Sequence, residues 1–510
     1  MQNLISTLPK DSRFDLTNDF LAAIIYLESQ TQNKTVPAKT CQIPKIQKEL
    51  LKIVTSDHLR LNITSEDESL PTSLDVQDNL LHYVFDTIPY NSSIRGYFND
   101  TEDPDQVIKR RVFNMSVTPG VCHSYPKDKL NTDETVATIA FDDFGAHRIQ
   151  QVRKNDNNKN IPFDAFGAEA KYAIYLNWMW SYPVRDGYAR YGADAYFDKT
   201  RKLTHIVRGG VTYTKLDGAA WEFAKLAFKG TLRITVTIVD HLYFTHLGDA
   251  NALITAVREE LSPSHPLRRL LTPWGFGTAS VNKRAVQTLI GENRLNSRAS
   301  AFTETGLSNM QADQFNQRSF KRFDYRIAEQ GLENAYTQDG RNFYDVVRRY
   351  VKNYFDIHFK KNKCNTDPQL VRWYNRIFNV SLTRLASCED LVHRISTLMV
   401  AVSAGHNHYT CTSQEHVCLA PSSFREGASC GVPRDIMYLY TTQLSTGSRI
   451  FPKILNDFSY MFQDHESKKL WQVFQKDLTN LEKLIVLRNA KRSVPFYGFL
   501  PSQVEISTSY

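Results

Sequence analysis

The feature that most constrains this chain is a pair of histidines, His241 and His246, five positions apart in the largely apolar segment 239–271. On an ideal α-helix, residues i and i+5 point roughly 140° apart, so two such imidazoles cannot share one ligand. A local π-bulge, with hydrogen bonds from i to i+5, brings them near one face. The spacing is therefore either an accident or part of a metal-holding bulge.

Composition and charge narrow the class of protein. The chain is 42% hydrophobic over 510 residues, which is enough for a large buried core in one large domain or several smaller ones. Lys and Arg exceed Asp and Glu by 62 to 54, and this mild excess is spread along the chain without any nucleic-acid-binding motif. We therefore expect no nucleic-acid partner, while a peripheral contact with an anionic membrane stays open.

Cysteine usage and the N-terminal residues bear on the compartment. The seven cysteines are scattered and unpaired in spacing, which argues against a disulfide framework and against zinc sites. We expect reduced, packed thiols. The chain opens without the basic start and apolar run of a secretory signal, so the sequons at Asn91 and Asn379 are discounted. These features favour a cytoplasmic protein.

Apolar periodicity predicts a chain that is helical from about Ala220 onward. Helices are expected over 18–29, 105–114, 221–247, 341–359, 388–404 and 471–488, with a polar surface loop over 154–163. Segment 202–214 alternates and is rich in β-branched residues, which indicates strands. The β-branched run 234–239 has low helix propensity, and propensity alone would predict a strand there as well.

Five segments, met in one order between about residues 172 and 510, resemble the lipoxygenase family. They are AWEFAKLAFKGTLRITVTIVDHLYFTH, SHPLRRLLTPWGFGTASVNKRAVQTLI, DPQLVRWYNRI, CEDLVHRISTLMVAVSAGHNHYT and the terminal VPFYGFLPSQVEISTSY. The resemblance implies a mainly α catalytic domain over 76–510, with a small β-sheet and a long central metal-binding helix. It makes 234–239 helical and leaves 1–75 as a helical, polar extension without the family's β-sandwich domain.

The resemblance also implies the ligands of a non-haem iron. His241, His246 and His406 occupy the places of the family's imidazole ligands, and the terminal carboxylate of Tyr510 occupies that of its oxygen ligand. Three imidazoles, one carboxylate and an open position suit a redox-active iron, with manganese as the alternative metal. A frayed polar tail is the competing interpretation of the chain end.

Other positions are less clear-cut. His408 could replace His406 as the third imidazole, but the Ser403-Ala404 pair before His406 is similar to the family's approach to that ligand. Thr410 stands where the family usually has Asn and is at most a weak metal ligand. Ala312 is similar to the small residue that governs stereochemistry in the family. The remaining candidates are assigned structural roles: His205, His265, His393 and His416.

The implied reaction is dioxygenation of a polyunsaturated lipid. A bis-allylic hydrogen is removed from a 1,4-diene, and O2 traps the pentadienyl radical to give a hydroperoxide. Thr237 stands where the family often has Gln, and Tyr510 where it nearly always has Ile. These departures keep two alternatives open: a hydroperoxide isomerase or natural-product oxygenase, and a metal-free scaffold.

Overall fold

The structure is a computed structural model that describes residues 125–152, 170–276, 278–290, 296–297, 300–316, 332–359, 364–378, 387–410, 418–431 and 453–508. The proposed N-terminal extension, the helices expected over 18–29 and 105–114, and the loop 154–163 lie outside these residues. The division of the chain at residue 75 therefore stays a prediction.

A five-stranded antiparallel sheet precedes the central helix, and each strand pairs with the next one in sequence. The strands are β1 (Gln150–Gln151), β2 (Tyr172–Ile174), β3 (Asp194–Phe197), β4 (Leu203–Arg208) and β5 (Val211–Tyr213). Gly209 and Gly210 join β4 to β5 with φ of +57° and +85°, the left-handed conformations that a tight two-residue hairpin turn requires. The strands predicted over 202–214 are confirmed.

Helices make up most of the remaining described chain, which confirms the mainly α class. They are α1 (Asp133–Asp142), α2 (Ala219–Ile234), α3 (Asn251–Glu260), α4 (Pro266–Leu271), α5 (Thr278–Thr288), α6 (Glu304–Asn316), α7 (Ala335–His358), α8 (Pro368–Phe378), α9 (Cys388–Val400), α10 (His406–Thr410) and α11 (His465–Asn489). Among the described helices, none has both the length and the apolarity that crossing a membrane demands.

The central helix continues without a break from α2 to α3, because the π-helical segment Thr235–Ala250 joins them. Its β-branched residues Ile234, Val236 and Val239 are at most 1% exposed. Burying each such side chain is worth about 1.5–3 kcal/mol, more than the roughly 0.7 kcal/mol that helix propensity opposes. Burial therefore prevails over propensity, and the helix expected over 221–247 is confirmed and longer than predicted.

A second helical run carries the candidate third histidine. Helix α9 starts after Ser387, whose side chain accepts a hydrogen bond from the Asp390 backbone N–H. It passes through the short π-helical segment Ala401–Gly405 directly into α10. Helix α7 packs against both α9 and α11, around an aromatic core in which Tyr350 stacks on Phe474 at 4.4 Å. This core holds the second run in place across the central helix.

Two disulfides contradict the expectation of reduced thiols. Cys364 is bonded to Cys388, and Cys418 to Cys430, with Cα–Cα separations of 5.7 Å and 4.0 Å. The partners lie 24 and 12 residues apart, and neither spacing corresponds to a known cysteine motif. The fold brings them together by placing both ends of the His406-bearing run beside neighbouring segments. The other three cysteines, at positions 41, 122 and 411, lie outside the described residues.

Candidate metal centre

The structure brings His241, His246 and His406 together with their Nε2 atoms facing one point. The Nε2–Nε2 distances are 2.9 Å between His241 and His406, 2.9 Å between His406 and His246, and 3.2 Å between His246 and His241. Three metal–nitrogen bonds of about 2.1 Å at right angles place their nitrogens about 3.0 Å apart, whereas a tetrahedron needs about 3.4 Å. The triad therefore has the shape of one face of an octahedron.

The π-helical segment is what makes the five-residue spacing usable. Both His241 and His246 lie within it, so the backbone repeat matches their separation. The Thr245 hydroxyl donates to the Asp240 carbonyl at 2.8 Å, across the same five-residue interval. The spacing of His241 and His246 is therefore part of a π-helical bulge and not an accident.

Asn282 fixes the tautomer of His246. Its Nδ2 donates to the His246 carbonyl at 2.7 Å, which leaves its Oδ1 to accept from His246 Nδ1 at 3.2 Å. With the proton on Nδ1, Nε2 carries a lone pair aimed at the other two imidazoles. Sequence reasoning assigned Asn282 no role, although it lies in the quoted segment SVNKRAV.

Burial keeps all three imidazoles neutral. It lowers the pKa of His246 to about 4, against the opposing Asn282 hydrogen bond. Burial also lowers the pKa of His241 and of His406 well below the ordinary value, and the neighbouring imidazoles push in the same direction. Neutral imidazole is the metal-binding form of histidine. Three such groups with converging ring nitrogens are a donor set for a cation.

His408 is not part of this cluster. Its Nε2 lies 3.0 Å from Nδ1 of His147, in a separate group that includes Asp240 and Arg148. The placement favours His406 over His408 as the third imidazole. Neither His147 nor Asp240 was singled out from the sequence, because nothing in their spacing indicates a shared partner.

The described end of the chain is buried rather than frayed. Ser507 and Thr508 are both 0% exposed. The Ser507 hydroxyl donates to the Phe276 carbonyl at 2.8 Å, and Thr508 Oγ1 lies 3.0 Å from Thr278 Oγ1. Thr278 is one turn before Asn282 on α5, so the chain end runs beside the residue that contacts His246. Tyr510 itself lies outside the described residues.

The remaining predicted positions are placed as follows. Thr410 is buried one turn beyond His406, and its hydroxyl donates to the Asn407 carbonyl at 2.8 Å. His265 caps α4, where its side chain accepts from the Leu267 N–H, as the structural assignment expected. His205 is buried and stacks on Tyr196 at a centroid distance of 4.4 Å.

Ala312 does not reach the centre. Its side chain is exposed on α6, while the preceding residue, Gln311, borders a cavity beside the triad. The stereochemical role expected of Ala312 stays a prediction. His393 is buried against Tyr344, and His416 lies outside the described residues.

The cavity has a volume of about 530 Å³, lies between α3 and α5 and opens to solvent, since Val286 in its wall is 53% exposed. Asn282, which contacts His246, forms part of its wall. Its apolar lining includes Leu247, Ile254, Ala279, Val286 and Ile290. Small-molecule sites usually measure about 300–1,000 Å³ and are mostly apolar, so the cavity could hold an organic ligand next to the triad.

Known proteins share both sequence and fold with this chain. It is 22% identical over 324 residues to a polyunsaturated fatty acid lipoxygenase, ALOX15, of Pongo abelii, covering 57% of this chain and 49% of the relative. It is 25% identical over 217 residues to the chloroplastic lipoxygenase 4 of Arabidopsis thaliana, covering 36% of this chain and 23% of the relative. The chain thus spans about half the length, or less, of these curated relatives. No protein-family model matches the sequence.

Solved structures give the same result for the fold. A crystal structure of a lipoxygenase with residues 413–417 replaced by Gly-Ser superposes with a TM-score of 0.74 at 16% identity, covering 93% of this chain and 82% of that one. A calcium-dependent 11R-lipoxygenase superposes with a TM-score of 0.72 at 15% identity, covering 92% and 80%. This chain is therefore similar in sequence to lipoxygenases and shares the mainly helical fold of their catalytic domains.

Proposed function

We propose that this chain is a non-haem iron dioxygenase that inserts O2 into a 1,4-diene of a polyunsaturated fatty acid or related lipid, giving a hydroperoxide. The observation that carries the proposal is the face of three neutral imidazoles formed by His241, His246 and His406, of which His241 is half-buried and the other two are buried. Its support is independent of the sequence matches, because it rests on distances and burial in this chain.

The donor set fits iron better than zinc. Structural zinc prefers closed tetrahedral sites, often with thiolates, whereas the triad spacing suits an octahedral face with further positions available. No cysteine belongs to the cluster found among the described residues. The terminal carboxylate of Tyr510 would supply an oxygen ligand, and Thr410 at most a weak one. Manganese is the alternative metal, since it accepts the same nitrogen and oxygen donors.

Each residue has a defined task in the proposed reaction. Bound iron would supply the one-electron oxidation that starts removal of the bis-allylic hydrogen. Asn282 holds the proton of His246 on Nδ1 and thereby orients its Nε2. The buried surroundings of the triad exclude bulk water, which protects a radical from side reactions. The adjoining cavity, with its apolar lining, would place the diene beside the triad.

The proposed substrate class has two supports. The mammalian relatives are named for polyunsaturated fatty acids, and a related structure with a TM-score of 0.59 at 14% identity is described in complex with arachidonate. The apolar cavity suits an acyl chain. A peripheral membrane contact, through which such a lipid could be delivered, stays a proposal. No nucleic-acid partner is proposed.

A second candidate function is rearrangement of a hydroperoxide or oxygenation of a dedicated natural product. The observation that favours it is Thr410, whose hydroxyl is committed as a donor to the Asn407 carbonyl where the family usually has an asparagine. A weaker ligand there changes the electron density at the metal and so the fate of the product. The metal-free scaffold has less support, since three imidazoles are held with converging nitrogens.

The deciding experiment measures metal content and product together. We expect about one iron per purified chain and, with linoleate or arachidonate and O2, growth of conjugated-diene absorbance. Iron with consumption of a supplied hydroperoxide, but no diene growth, would favour the second candidate. Stoichiometric zinc without iron would refute the proposal that the metal is iron. An active form loaded with manganese would also refute iron as the metal, but it would leave the proposed reaction standing.

A further inference from the structure

A chain of four buried polar side chains links the two helical runs that carry the triad. His408 Nε2 lies 3.0 Å from His147 Nδ1, and His147 Nε2 lies 2.9 Å from Asp240 Oδ2. Arg148 donates to both oxygens of Asp240, each at 2.6 Å. We call these four residues the helix bridge. Asp240 directly precedes His241, and His408 is two residues after His406.

The hydrogen bonds of the helix bridge have one consistent direction. An ionised carboxylate only accepts, so Asp240 accepts from Arg148 Nε, from Arg148 Nη2 and from His147 Nε2. A neutral His147 then has a lone pair on Nδ1, which accepts from His408 Nε2. Each imidazole is thereby held in one tautomer and one ring orientation. The arginine and the aspartate neutralise each other, which makes the group tolerable in the interior.

The surroundings of the helix bridge are aromatic. The side chains of His147, Arg148 and Asp240 are 3%, 8% and 0% exposed. Tyr409 lies 4.8 Å from the His147 ring, and Tyr336 lies 4.9 Å from the His408 ring, by centroid. Phe496 and Phe499 cover the other side of His408.

A close backbone approach completes this enclosure. A Cβ added to Gly498 would lie 2.9 Å from His408 Nδ1, so glycine is needed there. The carbonyl of Gly498 accepts from Asn407 Nδ2 at 3.1 Å. Asn407, between His406 and His408, is therefore held against Gly498, and the His408 ring has little room to rearrange.

We propose that the helix bridge is a positioning device that sets the π-helical segment with His241 against the run with His406, so that the three Nε2 atoms converge. The proposal rests on the metal site of the proposed function. Buried ion pairs are commonly no more stabilising than well-packed apolar residues. Their geometric specificity is what apolar packing lacks. Here that specificity acts on Asp240, one residue before His241, and on His408, two residues after His406.

The test compares His147→Leu with His147→Gln. Leucine removes both hydrogen bonds, whereas glutamine keeps a donor toward Asp240 and an acceptor toward His408. We expect His147→Leu to release bound metal to a chelator about tenfold faster than the parent or more, and to change the electron paramagnetic resonance spectrum of the ferric site. His147→Gln should recover most of both. His205→Leu, which removes a buried histidine in the sheet, is the matched control.

Several outcomes would overturn the helix bridge. One such outcome is a His147→Leu variant whose melting temperature falls, as that of His205→Leu does, while its metal-release rate and its spectrum match those of the parent. If His147→Leu does not fold, Gly498→Ala presses on His408 without removing a polar group, and unchanged metal release there would count equally against the proposal. Release is measured with iron, cobalt and zinc. A parent that binds none of them refutes the proposed function as well, whereas a parent that binds metal equally with and without the bridge refutes only the bridge.

A second observation carries a separate inference, about where the protein matures. The two disulfides flank the run that carries His406: Cys388 is the first residue of α9, and the Cys418–Cys430 bond closes the segment after α10. That segment is built into the core, because Arg233 donates to the Ala420 carbonyl at 2.7 Å and Phe424 is fully buried. Both bonds therefore belong to the folded structure around the centre.

We infer that the chain matures in an oxidising compartment, contrary to the cytoplasmic expectation. Structural disulfides persist in secreted, lumenal or periplasmic proteins and are rare where thiol reductants prevail. Each bond forms when two thiols give up two protons and two electrons to the disulfide of an oxidoreductase, which leaves as a dithiol. The sequons discounted above then become relevant, and the one at Asn379 lies between Cys364 and Cys388 in sequence.

The test traps the cysteines of the native protein by alkylation at lysis and digests it without reductant. We expect linked peptides joining Cys364 to Cys388 and Cys418 to Cys430, and a melting temperature lowered by several degrees in Cys364→Ser/Cys388→Ser. Cys41→Ser/Cys122→Ser is the control that should leave the linked peptides in place. Recovery of all four cysteines of the two pairs in alkylated form from folded protein would overturn the inference.

Discussion

At the scale of single residues, the centre depends on which nitrogen of each imidazole carries a proton. Burial favours neutral rings, and Asn282 places the proton of His246 on the side away from the cluster. An imidazole with a proton on Nε2 would repel a cation instead of binding it. Asn282 is therefore expected to affect metal binding through the tautomer of His246.

Substitution of the ligands should separate the triad from the other histidines. We expect His241→Ala, His246→Ala and His406→Ala each to abolish bound iron and activity, measured by metal analysis and O2 uptake. His265→Ala removes a helix cap worth about 1 kcal/mol and should keep full iron. His408→Ala should still bind iron at purification, though less firmly. Loss of all iron from His408→Ala with full retention in His406→Ala would reverse the assignment.

Thr410 separates metal binding from reactivity. Its hydroxyl already donates to the Asn407 carbonyl, so Thr410→Ala should bind iron nearly as well as the parent. Thr410→Asn introduces a stronger oxygen donor one turn beyond His406. It should change turnover or product distribution more than iron content, as followed by metal analysis and product chromatography. Loss of iron from Thr410→Ala would show that the hydroxyl is a ligand in its own right.

Sequence reasoning at this scale found the residues whose spacing is unusual or whose order resembles a family. The histidines at 241, 246 and 406 were found in that way. Asn282 and His147 were not, because their partners are 36 and 93 residues or more away and only the fold brings them together. The role of Ala312 stays a prediction, and its side chain is exposed on α6.

At the scale of secondary-structure elements, two π-helical segments shape the centre. One contains His241 and His246, and the other ends immediately before His406. The first was accessible from the five-residue spacing. The second was not, since a single histidine after Ala401–Gly405 sets no spacing. The β-branched run 234–239 shows the opposite problem: local propensity indicated a strand, and only burial within the assembled core makes it helical.

The sheet offers a prediction about pH at strand β3. Asp194 Oδ1 accepts from the backbone N–H groups of Leu176 and Asn177, both at 2.6 Å. Burial raises the pKa of Asp194 to about 6 from its ordinary value of 3.8, against those two hydrogen bonds. The folded state thus holds this proton more tightly than the unfolded state. Its contribution is most favourable below about pH 4 and is lost as pH rises through about 6.

Asp194→Asn keeps an oxygen acceptor but cannot ionise. Between pH 4 and 7, the variant should gain stability relative to the parent on the order of 3 kcal/mol, since each pKa unit corresponds to about 1.4 kcal/mol. Denaturant unfolding at several pH values measures this difference. A difference that stays constant across the range would mean that Asp194 is ionised throughout in the folded protein.

At the scale of the whole molecule, the family fold was predictable because the motifs occur in order across widely separated segments. The disulfides were not, because cysteine pairing depends on which helix ends the tertiary structure brings together. The chain end was predictable only in part. Its motif indicated an approach to the metal. Ser507 and Thr508 are buried against Phe276 and Thr278, one turn before Asn282, which contacts His246.

The last prediction concerns the terminal carboxylate itself. In the 510-residue chain, only Tyr510 has a main-chain carboxylate, and Thr508 is already pinned 3.0 Å from Thr278. Adding one residue after Tyr510 would replace the charged ligand with a neutral amide oxygen. Deleting Tyr510 would shorten the reach by roughly 3.5 Å.

Either change should abolish iron binding or activity, measured by metal analysis and diene absorbance. Tyr510→Ile should retain both, because the proposed ligand is the main-chain carboxylate and not the phenol. An N-terminal tag is the matched control, since it adds residues without moving the carboxylate. Full iron and normal turnover in a C-terminally tagged enzyme would exclude the carboxylate as a ligand, and the oxygen donor would then have to come from another side chain or from solvent.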